Sequence, residues 1–101
     1  MPRKAILVGE RGDGRKIFLM LPRATLKLPS ADDESFRCVG FIDEYGHTVF
    51  NRLQMPTLMA EIRHLEAETS DEGARQYLRG LHELAEECCD GVHLYLKLMG
   101  D

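Results

Sequence analysis

Apolar residues along this chain recur first with strand spacing, then with helical spacing, and finally with strand spacing again. Residues 5–8 (Ala-Ile-Leu-Val) and 16–21 (Lys-Ile-Phe-Leu-Met-Leu) are short apolar runs that read as two strands. The glycine-rich stretch 9–15 joins them and supplies the positive-φ positions a hairpin turn needs. Pro22 ends the hydrogen bonding of the second strand, and a short extended piece at 25–28 leads to an acidic loop at 30–35. Residues 36–43 and 47–50 predict a second hairpin, turning through Asp43-Glu44-Tyr45-Gly46 with aspartate and glycine where turns use them.

The period then changes. Leu58, Met59, Ile62 and Leu65 form one stripe of a helix over 56–68, with Pro56 at its first position, where a missing N–H costs nothing. Thr69-Ser70-Asp71-Glu72 has capping-box spacing and starts a second helix. That helix carries Ala74, Tyr77, Leu78, Leu81, Leu84, Ala85 and Cys88 on one face and stops at Gly91. The short link between the helices predicts an antiparallel helical hairpin. Val92, Leu94, Leu96 and Leu98 then alternate with His93, Tyr95, Lys97 and Met99, the pattern of a strand buried on one side. The order β-β-(β)-β-β-α-α-β predicts a single α+β domain over 1–101. Its mostly antiparallel sheet has about five strands, and the helical hairpin packs on one face. The other face would present His93, Tyr95 and Lys97.

Composition narrows the field. The chain has 101 residues, 44% of them hydrophobic and 30% charged, which suits one globular core. No apolar run approaches the ~20 residues that span a bilayer, and the opening Met-Pro-Arg-Lys lacks the apolar segment of a secretory signal. A cytoplasmic protein with no membrane partner is therefore expected. Cys38, Cys88 and Cys89 are an odd number with two adjacent, which favours free thiols over a disulfide framework. Net charge is −4 but unevenly placed: residues 1–30 carry seven Lys/Arg against two acids, and the remaining 71 carry six against fifteen.

Candidate chemistry is thin. The four histidines and three cysteines include no C-x-x-C or H-x-x-x-H pair. Glu61-x-x-His64 has the spacing of di-iron bundles but lacks the further helices those sites need. No metal or cofactor is expected. No serine stands in a G-x-S-x-G context, and the one acid–base arrangement to weigh is His47 or His93 with Asp43 or Glu44. No catalytic residue is assigned. Gly9-x-x-Gly12-x-Gly14 joins two strands, where a phosphate loop wants a helix N-terminus, and a pI near 5.5 opposes general nucleic-acid binding. Arg11-Gly12-Asp13 reads as a turn.

The polar side chains without an obvious structural duty gather between 41 and 54. Asn51 and Gln54 have capping-box spacing, but Pro56 conflicts with a helix that starts at Asn51. Two readings of this pair stand: bracing of the loop, or binding from it. Tyr45 and His47 extend the same surface.

Asp43-x-x-Gly46-x-Thr48-x-Phe50-Asn51-x-x-Gln54, an amphipathic helix and a closing Gly-Val-His-Leu-Tyr-Leu-Lys strand together resemble small uncharacterised bacterial α+β proteins. Some of these are similar to immunity proteins that accompany polymorphic toxins. The resemblance covers roughly the last two-thirds of the chain, and it implies stoichiometric protein binding without catalysis. The expected binding residues are Tyr45, His47, Asn51, Gln54, His93, Tyr95 and Lys97. A second surface is the acidic outer side of the helices, with Glu61, Glu68, Glu72, Glu83, Glu86 and Glu87, which suits a basic protein such as a toxin. The alternative is a small-ligand pocket or minor enzyme near His47, Asn51 and Gln54, which homodimerisation across the open sheet face would help to enclose.

Overall fold

The computed structural model describes residues 4–9, 14–19, 36–42, 46–91 and 93–99. Four strands are present among them: β1 (Lys4–Gly9), β2 (Gly14–Leu19), β3 (His47–Asn51) and β4 (Leu94–Met99). They form one sheet in the order β2-β1-β4-β3, every neighbouring pair antiparallel. The last strand of the chain is thus inserted between β1 and β3. That central position accounts for its clean alternation, because Leu96 and Leu98 on one side are wholly buried.

Two helices, α1 (Met55–Glu68) and α2 (Glu72–Asp90), pack antiparallel on the face that carries Ala5, Leu7, Phe50, Leu96 and Leu98. The second helix lies on the sheet, touching β1, β2 and β4, while the first leans on the second and on the 3-10 turns. All seven positions expected on the inner face of α2 are buried. The α1 stripe is Met55, Leu58, Ile62 and Leu65, with Met59 half-buried at its margin. Burying a leucine-sized side chain contributes about 1.5–3 kcal/mol, so these two stripes are the main source of the hairpin's attachment.

The second hairpin differs from expectation. Residues 36–42 are not a strand but a turn followed by a 3-10 turn at Val39–Phe41. The sheet has four strands among the described residues, and the extended piece expected at 25–28 lies outside them. Phe36, Cys38, Val39 and Ile42 are buried in the core, so their spacing is satisfied by a compact turn as well as by a strand. Cys38 is therefore buried as expected, but on a turn.

Helix boundaries were also adjusted by local hydrogen bonds. Asp71, not Thr69, caps α2: its carboxylate accepts the Ala74 N–H at 2.8 Å. Thr69 closes α1 instead, its hydroxyl donating to the Leu65 carbonyl at 2.6 Å. Gly91 ends α2 with φ −86°, outside the left-handed region, so its lack of a side chain serves close packing. A Cβ there would collide with Leu94 Cδ1. The positive φ falls at His93, at 58°, one residue before β4 begins. His93 is therefore not an outward residue of the last strand.

Candidate functional site

The junction of β3 and α1 is the most tightly specified polar feature of the expected surface. Gln54 N–H donates to Asn51 Oδ1 at 3.2 Å, and Asn51 N–H donates to Gln54 Oε1 at 2.8 Å. This is a complete capping box, and it spans a single 3-10 turn, Arg52–Gln54. The 3-10 turn removes the conflict with Pro56, because α1 proper begins at Met55 and proline stands at its second position. Both side-chain oxygens are thus committed to holding the junction. The residues this rigid turn displays are Arg52, which is exposed, and Leu53, which is 84% exposed.

Four of the expected binding residues share the sheet face turned away from the helices. In register, Asn51 stands beside Tyr95, Val49 beside Lys97, and His47 beside Met99. These positions alternate with Phe50, Leu96 and Leu98, which are in the core, so they point outward. On β1 the same outward row contains Lys4, Ile6 and Val8. Val8 is buried although it stands apart from the main core, and its register partner is Tyr95. Val49 is 54% exposed on this face.

The expected residues do not converge on one point. His47 and Asn51 occupy opposite ends of β3, a separation of about 13 Å at the usual rise per residue. Gln54 is half-buried and engaged with Asn51, His93 is exposed ahead of β4, and Tyr45 lies outside the described residues. Leu53 and Val49 were not singled out from sequence. The available signal was weak: Leu53 falls off the α1 stripe, and Val49 has the parity of His47 rather than that of Phe50.

The acidic side of the helices needs one correction. Glu61 is not on the outer face but 6% exposed, and its carboxylate reaches the turn before Val39–Phe41. Oε1 accepts the N–H groups of Cys38 and Val39 at 3.0 and 2.9 Å, while Oε2 accepts that of Arg37 at 3.1 Å. A single carboxylate thus satisfies three backbone donors that a strand ladder would otherwise have to pair. This contact explains why residues 36–42 are a turn. The other acids named for that face, Glu68, Glu72, Glu83, Glu86 and Glu87, are exposed.

A groove of about 490 Å³ runs along the helical hairpin, lined by Arg63, Glu66, Arg79, His82, Glu83 and Glu86. His82 is 8% exposed and bridges the helices: Arg63 Nε donates to its Nε2 at 2.9 Å, and its Nδ1 faces Glu86 at 3.4 Å. Arg79 Nε donates to Glu66 at 2.6 Å across the same seam. The lining side chains mostly satisfy one another, and none of the six described binding candidates lines the groove. Among the described residues, no group of three or more His, Cys, Asp or Glu is placed to hold a metal ion.

All three cysteines are free thiols, with Cys38 and Cys88 buried and Cys89 partly exposed. Burial raises the pKa of both buried thiols, and the nearby Glu61 carboxylate adds to the effect at Cys38. A raised pKa suppresses the thiolate, so neither is set up as a nucleophile.

The described residues define a small α+β domain, an antiparallel sheet carrying a helical hairpin on one face. No helix among them is long and apolar enough to cross a membrane. No protein-family model, curated protein or solved structure matches the chain.

Proposed function

We propose that this chain is a non-enzymatic protein-binding module of the immunity, toxin-neutralising kind, acting in the cytoplasm. The observation that carries the reading is the β3–α1 junction. A capping box holds one turn rigid and leaves Leu53 84% exposed, next to a strand on which Val49 is 54% exposed. Large apolar side chains on pre-ordered backbone suit protein recognition, because little conformational entropy is lost when they are covered. Tyr95 and Lys97, beside Asn51 and Val49, extend the surface with an amphipathic ring and a charge. The ~13 Å between His47 and Asn51 favours an extended contact over a small-molecule pocket at these residues.

The acidic helical side supports a second contact, with a basic partner such as a toxin. Between residues 55 and 90 there are nine acids and three arginines. Glu61 contributes nothing to that contact, and Glu66 is held by Arg79.

The test is affinity capture from a lysate of the native organism, with wild type beside Leu53→Ser and a Glu83→Gln/Glu87→Gln variant. A near-stoichiometric protein retained by wild type and lost with one variant, both variants being folded by circular dichroism, supports the reading and locates the face. Equal capture by all three removes both surfaces from consideration. Absence of any captured protein shifts weight to the ligand-binding alternative, which a thermal-shift screen of metabolites then addresses.

A further inference from the structure

The described outward positions of the sheet and the exposed sides of the helices differ in charge. Among the described residues, no outward position of β1, β3 or β4 carries a carboxylate, whereas Lys4 and Lys97 lie on that face with His47 at its edge. Arg52, exposed beside Leu53, follows directly on the end of β3. The helices carry the acids. The surface is also aliphatic: Ile6, Val49 and Met99 stand in register among these positions, and Leu53, 84% exposed, follows in the turn after β3.

We infer that the surface centred on Val49, Arg52, Leu53 and Lys97 docks a protein partner that presents an apolar patch rimmed by carboxylates. This inference rests on the protein-binding reading and specifies the partner's chemistry. Leu53 and Val49 supply the apolar contact, and Arg52 and Lys97 meet the rim. A carboxylate rim gains from both cations, while a basic partner would meet like charge at Arg52 and Lys97. A single-stranded nucleic acid shares the negative charge but binds through stacking platforms. Here the most exposed apolar side chains are aliphatic, and Tyr95 is the one phenolic or indole ring among the described outward positions.

The experiment is a titration of the full ¹⁵N-labelled chain, followed by amide shifts, with three probes at low ionic strength. They are an amphipathic leucine–glutamate peptide, its leucine–lysine counterpart and an oligothymidylate. The leucine–glutamate peptide is expected to move the signals of residues 47–53 and 93–99 and to leave those of α2 in place. Arg52→Glu should weaken that binding roughly tenfold, and Leu53→Ser by a similar factor. Arg52 and Leu53 are exposed, so neither change threatens folding, and an unchanged dispersion of the remaining signals checks this. Preferential binding of the leucine–lysine peptide at the same residues overturns the charge assignment while the protein-binding reading stands. An Arg52→Glu affinity equal to wild type does the same. Binding of the oligothymidylate alone overturns both and makes the face a nucleic-acid contact. No shift at 47–53 with any probe overturns the inference.

Discussion

The carboxylate of Glu61 grips the backbone N–H of Cys38 with both oxygens, at 3.0 and 3.2 Å, across 23 residues of chain. The same group also takes the N–H groups of Arg37 and Val39, so one side chain of α1 sets the path of the segment leading to β3. Replacing it leaves buried donors without an acceptor. Glu61→Ala should therefore destabilise the fold by about 3 kcal/mol or more, read as a lower urea midpoint. Glu61→Gln retains one acceptor oxygen but loses the charge, and should fall between the two. A Glu61→Ala midpoint within experimental error of wild type would show that the carboxylate is dispensable and that the core alone holds residues 36–42.

The reciprocal pair Asn51 and Gln54 makes a different prediction. Asn51→Ala removes the cap of the 3-10 turn and should cost about 1 kcal/mol of stability. Because the two residues act as one box, Gln54→Ala in the Asn51→Ala background should cost less than in wild type. Additive losses in that double-mutant cycle would mean that the two hydrogen bonds are independent. Partner binding that falls more than stability accounts for would return these side chains to the contact surface.

Gly91 is constrained by a neighbour. In Gly91→Ala the new Cβ collides with Leu94 Cδ1 and lies 2.9 Å from its Cγ and 3.1 Å from the Glu87 carbonyl oxygen. The Leu94 side chain can turn away, so a loss of about 1 kcal/mol is expected. Shortening Leu94 should relieve it: in a Leu94→Ala background, Gly91→Ala becomes nearly neutral. Full cost in that background would place the problem with the Glu87 carbonyl instead.

Stability should decline at alkaline pH. The folded state raises the pKa of Cys38 and Cys88 above the ordinary 9.0, and that of Tyr77 above the ordinary 10.0, chiefly through burial. Above these ordinary values the unfolded chain releases protons that the folded chain retains. Stability from these groups is therefore complete below pH 9 and falls as pH rises through and beyond that range. Urea midpoints at pH 7 and at pH 10 test the sign. Tyr77→Phe should flatten the part of the decline above pH 10, and a midpoint that rises with pH would contradict the argument.

Much of the fold was legible from side-chain spacing. The helical stripes and the alternation of β4 each report on burial of one face, and burial is a local pattern that a core of this size enforces. Residues 36–42 were misread because Phe36, Cys38 and Ile42 suit either a strand or a compact turn. The deciding group, Glu61, sits 22 to 24 residues away from the donors it satisfies. The same distance hid Glu61 itself: a glutamate on a helix reads as solvated until something buried is found to need it. In the candidate surface, the spacing of Asn51 and Gln54 marks a capping box; the Asn51 oxygen is spent on that turn, and Leu53 is the large apolar side chain exposed there.

What the sequence alone determined is the set of elements whose information is local: two amphipathic helices, their short link, the capping spacing at 51–54 and the one-sided last strand. What only the tertiary structure decided is non-local. It set β4 between β1 and β3 and turned the segment before β3 into a carboxylate-bound loop. Pairing order and long-range hydrogen bonds depend on which distant groups meet. That is fixed by the packing of the whole core, and no window of neighbouring residues records it.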